Sequence, residues 1–352
     1  MSGPLRWSAA APEHGGPDAM GAALHDFSTN SNACGPCPGA LHAVRAADAT
    51  RYPDPAYTAL REGLGAFHGV APRRIVLAGG ASEFIHRITA LAVQKGCVQV
   101  ALPAHSYGDY AQAAQARGLA LARAGEAGAG LAGLAGLQWA CDPSSPLGRP
   151  DPAAHVWHAP ADGGVPGVLR VLDCAYAPLR LEGPGAWTGR PATTPAHCWQ
   201  VWTPNKALGL TGVRAAYAVA PAGAEGQVDT LVALAPSWPL GAHGVALLQA
   251  WLDPAVQQWV VGSLATLRDW KARQLALCAG LGWAVRAGSQ ANYFCARPDG
   301  GPDPQSLAER LAGLRGQGIK LRDCTSFGLP GHVRLGVLPP ASQQALLQAW
   351  GR

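Results

Sequence analysis

Between residues 74 and 220, short apolar runs alternate with stretches whose apolar positions recur every three or four residues. RIVLAGG (74–80) predicts a strand that breaks into glycines. The ASEFIHRITALAV that follows places Phe84, Ile85, Ile88 and Leu91 on one face of a helix. VQVALP (98–103) predicts the next strand, and YGDYAQAAQARG the next helix. Further strands are predicted at VLRVLDCAYAP (168–178), HCWQVWTPN (197–205) and GVRAAYAVA (212–220), the last bounded by Pro221. A long helical region covers about 240–280. After Gly282 the texture changes to WAVRAGSQANYFCARP, a helix at PQSLAERLAGLRGQG, and strands at IKLRDC and HVRLGVL. Between 124 and 170, Gly, Ala and Pro dilute the pattern, and little structure is predicted. No internal repeat shows. Alternating strands and helices predict an α/β domain, and the later change of texture a smaller α+β domain. The expected division is an N-terminal segment (1–35) joining the small domain, a large domain (36–275) and a small C-terminal domain (276–352).

Composition narrows the functional classes. With 48% hydrophobic and 14% charged residues, the chain has ample material for burial, and 352 residues exceed what one core usually serves. The net charge of +5 comes without a basic block, which argues against nucleic acid and leaves small anions as ligands. No apolar run reaches the ~18 residues of a membrane span. Residues 1–20 lack the apolar centre of a signal peptide, so a cytoplasmic location and no membrane partner are expected. Nine scattered cysteines, an odd number, fit free thiols better than a disulfide framework. Cys34 and Cys37 form a C-x-x-C that could be a redox dithiol or half a zinc site. A zinc site needs a second close pair, which the chain lacks, and the motif reads as a turn.

Three features stand where strands end. AGGASE (Ala78–Glu83) opens a helix, so the backbone N–H groups of Gly80, Ala81 and Ser82 can face an anion. A plain glycine turn reads the same way. LDCAYAP puts Asp173 at the end of an apolar strand, with Tyr176 three residues on. A carboxylate there needs a cation or hydrogen-bond donors, and a loop-anchoring aspartate also satisfies that need. TPNKALGLTGVR places Lys206 after a strand and Arg214 eight residues later. Lys206 is one of four lysines set against 23 arginines. A lysine amine, unlike an arginine, sheds its proton and attacks carbonyls; the bland alternative is a surface lysine. In HVRLGVL, Val333, Leu335 and Val337 share one face by period two and Arg334 takes the other. Its planar fork suits a carboxylate there, although a solvated arginine fits equally.

Taken in order, these features resemble the type I, aspartate-aminotransferase fold of pyridoxal-phosphate enzymes. That fold has a large α/β/α domain with a mostly parallel sheet, plus a small α+β domain. The resemblance implies that Lys206 carries pyridoxal 5'-phosphate through its amine. Asp173 pairs with the ring nitrogen and Tyr176 donates to the ring oxygen. Thr203, Arg214, Ala81 and Ser82 hold the phosphate, and Tyr107 of HSYGDY stacks on the ring.

HGG (14–16), HDFSTNSN (25–32), RYPDPAY (51–57), ANYFCAR (291–297) and LRDCTSFGLPGHVRLGV (321–337) look like threonine-phosphate decarboxylase of cobalamin biosynthesis. That family is a close relative of histidinol-phosphate aminotransferase. By this resemblance the protein is a homodimer in which Tyr52 reaches the phosphate of the partner's cofactor. Arg322 and Arg334 grip substrate anions, and His14 and Asn32 line the substrate side. Two departures stand out. CDPSSPLG has Ser145 where the family has an asparagine on the ring oxygen, and Asn205 replaces a hydroxyl residue before the lysine. The expected activity is decarboxylation of L-threonine O-3-phosphate to (R)-1-amino-2-propanol O-2-phosphate. The alternative is an aminotransferase of histidinol phosphate or another amino acid. A non-catalytic binding module on the same fold is opposed by the intact Lys206, Asp173 and Arg214.

Overall fold

The computed structural model describes residues 14–125, 136–157, 167–191, 197–298 and 304–351. The N-terminal segment contributes a short strand, β1 (His25–Asp26). The large sheet then comprises β2 (Ile75–Ala78), β3 (Gln99–Leu102), β4 (Ala120–Arg123), β5 (Leu137–Cys141), β6 (Leu169–Asp173), β7 (Trp199–Trp202) and β8 (Ala216–Val219). Its spatial order is β2-β8-β7-β6-β5-β3-β4. Only β8 runs against its neighbours, pairing antiparallel with β2 and β7, so the sheet is mostly parallel as expected.

Apart from the edge strand β4, the strands of this sheet are buried on both faces, being mostly apolar. Val171, Val201 and Val76 point into one core, together with Phe84, Ile85 and Ile88 of the helix on that side. Their neighbours Leu172, Trp202 and Leu77 point into the other. Helices α1 (Pro38–Arg45) and α2 (Thr58–His68) bury residues in this second core. Helices α3 (Ala81–Gln94) and α4 (Gly108–Gln115) cover the first. The sequence reading missed β4 and β5, which fall in or beside the Gly/Ala/Pro-rich stretch. All five residues of β5 are buried, and it sits between β3 and β6. A buried strand this short carries no alternation to betray it.

After α5 (Pro152–Trp157), α6 (Glu225–Ala233) and α7 (Ala242–Trp251), the chain enters a long helix, α8 (Pro254–Gly280). Asp253 caps it, accepting from the Ala255 N–H at 2.8 Å, and Pro254 occupies its first turn. The small domain adds β9 (Ala284–Val285), β10 (Tyr293–Arg297), α9 (Pro304–Gly316), β11 (Ile319–Lys320), β12 (Arg322–Asp323), β13 (Val333–Gly336) and α10 (Pro340–Trp350). Four of its strands form an antiparallel sheet in the order β12-β13-β10-β9.

Two segments run between the core under the large sheet and the core of the small antiparallel sheet. α8 runs through residue 275, with Val256 and Leu264 in a large-domain core and Cys278 in the small-domain core. The N-terminal segment divides as well. β1 pairs in parallel with β11 and Phe27 enters the small-domain core, but the Asn32 N–H donates to the Lys206 carbonyl of the large domain at 2.9 Å. None of the nine cysteines, all within the described residues, forms a disulfide. Cys37 stands just before α1, its N–H bonded to the Leu208 carbonyl, so C-x-x-C is a turn leading into a helix. Among the described residues, no cluster of three or more His, Cys, Asp or Glu could hold a metal. No described helix is long and apolar enough to cross a membrane.

Candidate active site

A cleft of about 620 Å³ opens at the C-terminal ends of β2, β5, β6 and β7, walled by the small domain and the N-terminal segment. In open α/β sheets this end gathers ligands because strand termini and helix starts converge there. Asp173 closes β6 and is 5% exposed. Its Oδ2 accepts from the Tyr110 hydroxyl at 2.6 Å, and its Oδ1 accepts from the Ala175 N–H at 2.9 Å. Burial raises the Asp173 carboxyl above its ordinary value, against the opposing pull of the Tyr110 bond and the Lys206 charge. Tyr110 is fully buried and stacked on Trp139 of β5, with ring centroids 4.3 Å apart. The sequence reading passed over this tyrosine. The signal was its spacing of three from Tyr107, which puts both rings on one side of α4's first turn.

Lys206 lies just past β7, its Nζ 5.3 Å from the ring centroid of Tyr176. Thr203 and Asn205 line the same wall, and each has a buried side-chain oxygen without a protein partner, Oγ1 and Oδ1. Across the cleft, α3 begins at Ala81, so its first-turn N–H groups have no intrahelical acceptor. Gly80 before it has φ +149, and a Cβ there would lie 2.2 Å from Nη2 of Arg214. Glycine is what lets the Arg214 guanidinium pack against the start of α3. The Ser82 hydroxyl meets the Tyr107 hydroxyl at 3.3 Å. Burial, then the Asp109 charge, pushes the Tyr107 phenol well above its usual range.

The small domain supplies the opposite wall. Arg322 and Arg334 are cross-strand partners on β12 and β13, and both lie over the Phe327 ring. Arg334 donates to the Ser145 hydroxyl at 3.3 Å and to the Ser28 carbonyl at 3.0 Å. Arg322 donates to the Ser326 hydroxyl at 2.7 Å. His14 sits at the mouth, its Nε2 4.0 Å from Asp109.

Most residues singled out from the sequence therefore meet in one cleft: Gly80, Ala81, Ser82, Tyr107, Ser145, Asp173, Tyr176, Thr203, Lys206, Arg214, His14, Arg322 and Arg334. Asn32 does not. Its Nδ2 donates to the Ala207 carbonyl and the Ser263 hydroxyl, and its Oδ1 accepts from the Cys34 N–H, so it fastens the segment to the large domain. Asn30, two residues earlier, lines the cleft instead and donates to the Tyr176 hydroxyl at 3.3 Å. Tyr52 lies outside this cleft, 78% exposed and stacked on Trp238.

The residues fit pyridoxal phosphate. The unpartnered Thr203 hydroxyl, the α3 start and Arg214 suit a phosphate, the buried Asp173 suits a basic ring nitrogen, and Lys206 suits a carbonyl. Comparison with known proteins agrees. The aminotransferase class I and II family matches residues 23–126 and 141–349. The histidinol-phosphate aminotransferase of Rhodospirillum rubrum is 28% identical over 338 residues, 92% of this chain and 89% of the relative. That of Ruegeria pomeroyi is 29% identical over 339 residues, with the same coverage.

Among solved structures, the histidinol-phosphate aminotransferase of Sinorhizobium meliloti in complex with pyridoxal-5'-phosphate matches with a TM-score of 0.74. It is 21% identical and covers 91% of this chain and 88% of that one. The L-threonine-O-3-phosphate decarboxylase of Porphyromonas gingivalis gives a TM-score of 0.69 at 21% identity, with 88% and 91% covered. At that identity the decarboxylase likeness speaks for the fold, and the expected order of activities reverses in favour of the aminotransferase. With its mostly parallel sheet, its lysine, aspartate and arginine at the strand ends, and a family match over most of its length, the chain belongs to the class I and II aminotransferases, a pyridoxal-phosphate-dependent family.

Proposed function

We propose that the protein is an aminotransferase acting on a small phosphorylated amino compound of the histidinol-phosphate class. The observation that carries this reading is the likeness to histidinol-phosphate aminotransferases over about nine-tenths of the chain, with Lys206 and Asp173 in the cleft and Arg322 there for a phosphate. When bound, pyridoxal phosphate supplies an electrophilic carbonyl and an electron sink for bonds at the amine-bearing carbon. Lys206 would hold the cofactor through its Nζ and would serve to move a proton at that carbon. Asp173 keeps the ring nitrogen protonated, and Tyr110 orients the carboxylate for it. Tyr176 donates to the ring oxygen and Tyr107 covers the ring. Thr203, Ala81, Ser82 and Arg214 take the cofactor phosphate. Arg334, braced by Ser145 and Ser28, presents its fork to a substrate carboxylate, and Arg322 with Ser326 takes a phosphate. The exposed Tyr52 fits a homodimer in which it reaches the neighbouring subunit's cofactor phosphate.

One observation favours the decarboxylase as a second reading. Two arginines and His14 face one cleft, which matches a substrate that bears both a carboxylate and a phosphate. L-Threonine O-3-phosphate carries both groups, whereas histidinol phosphate carries one. The test runs cofactor-loaded protein with histidinol phosphate and 2-oxoglutarate, and separately with L-threonine O-3-phosphate alone. Glutamate formed in the first reaction supports the aminotransferase. Sustained CO₂ release in the second, without glutamate in the first, replaces it with the decarboxylase.

A further inference from the structure

Tyr176 has a partner that the sequence did not single out. Asn30 is 2% exposed, its Nδ2 lies 3.3 Å from the Tyr176 hydroxyl, and its Oδ1 has no partner within the protein. Its backbone carbonyl accepts from Nδ2 of Asn292, at the start of the small domain's β10. Ser145, which stands where the family has an asparagine on the ring oxygen, accepts from Arg334 and makes no bond to Tyr176 in the structure.

We propose that Asn30 is a positioning residue that sets the hydrogen-bond polarity of Tyr176. Resting on the assignment of Tyr176 to the cofactor's ring oxygen, the argument is one of donors and acceptors. A phenol has a single proton and accepts through its oxygen. With the Asn30 N–H donating to that oxygen, the phenol's own proton is left for the cleft, and donation into the phenol strengthens it as a donor. The other groups around the phenol leave this role open. Lys206 Nζ is 5.3 Å from the ring centroid and Tyr293 packs edge-on at 4.7 Å. Asp173, three residues before it, already accepts from Tyr110 and Ala175, and the Tyr107 hydroxyl meets Ser82. The amide that braces Tyr176 thus comes from the N-terminal segment, at a residue whose own carbonyl is tied to the small domain.

The test reads the cofactor's colour and needs no substrate. A proton donated to the ring oxygen favours the unprotonated form of the lysine–cofactor linkage, so losing that donor raises the pH at which the colour changes. Cofactor-loaded wild type, Asn30→Ala, Tyr176→Phe and the double variant are titrated by absorbance. Asn30→Ala is expected to raise the midpoint by about 0.5 pH unit or more. Tyr176→Phe should raise it further, and the double variant no further than Tyr176→Phe alone. An unchanged or lowered Asn30→Ala midpoint, or shifts that add in the double variant, would overturn the proposal. Should Asn30→Ala fail to load, Asn30→Ser provides the same comparison. If Tyr176→Phe leaves the midpoint in place, the assignment of Tyr176 to the ring oxygen falls instead.

Discussion

Tyr110 gives its phenol proton to Asp173, a carboxylate whose burial disfavours its charged form. Tyr110→Phe removes that donor while keeping the ring stacked on Trp139, so the carboxyl rises further and pairs less well with a ring nitrogen. The cofactor dissociation constant should increase about tenfold, the equivalent of one lost charge-assisted hydrogen bond, as measured by equilibrium titration. Arg334 makes a different kind of contact. Its Nη1 and Nη2 bond Ser145 and Ser28, which hold the guanidinium at the wall of the cleft. Arg334→Lys keeps the charge but loses the fork. It should raise KM by ten- to a hundredfold, about 1.4–2.7 kcal/mol, and leave the cofactor absorbance unchanged. Residues of this kind were legible in the sequence wherever chemistry forces a rare choice, as with a lysine among arginines or an aspartate ending an apolar strand. Asn30 and Tyr110 were not. Both act on a neighbour rather than on a ligand, and nothing in a sequence says which neighbour a side chain will meet.

At the scale of the element, the start of α3 depends on one atom being absent. Gly80→Ala would drive its Cβ into the Arg214 guanidinium in a backbone conformation that L side chains rarely adopt. Arg214 must move, and cofactor affinity should fall by at least about tenfold while the melting temperature shifts little. The seam between α2 and β8 carries a pH dependence of its own. His68 meets the Tyr217 hydroxyl at 2.9 Å among Phe67 and Trp202, and burial lowers its pKa from 6.5 to about 4. The unfolded chain therefore binds a proton that the folded chain refuses between those two values. Stability is full above about pH 6.5 and falls as the pH drops toward 4, by about 3 kcal/mol from this residue. His68→Gln should flatten the melting temperature over that window. Strands flanked by glycine or proline were readable from period and punctuation. β5 was not, because five buried residues with no alternation look like any short apolar run.

Across the whole molecule, the change of texture after Gly282 announced a second, smaller sheet, but how the two parts are joined was not legible. The N-terminal segment is clamped to the small domain where Asp18 meets Arg315 at 2.8 Å and Lys320 at 2.9 Å. It then crosses to the large domain at Asn32. α8 makes a second crossing. Gln257 accepts from the Trp187 indole on the large-domain side, while Gln274 donates to the Gly336 carbonyl and accepts from the Leu338 N–H on the other. Gln274→Ala would leave those two backbone groups without their partner beside the Arg334 strand. A loss of about 2 kcal/mol is expected, read by denaturant unfolding together with a higher KM. At 1.5 Å per residue, the helix is about 40 Å long and rigid along its axis. A tilt of about 5° near its first turn would swing its far end by about 3.5 Å, the end where Gln274 is bonded to the strand of Arg334. With so long a span between base and tip, a small rocking at the base would alter how Arg334 faces Lys206 across the cleft.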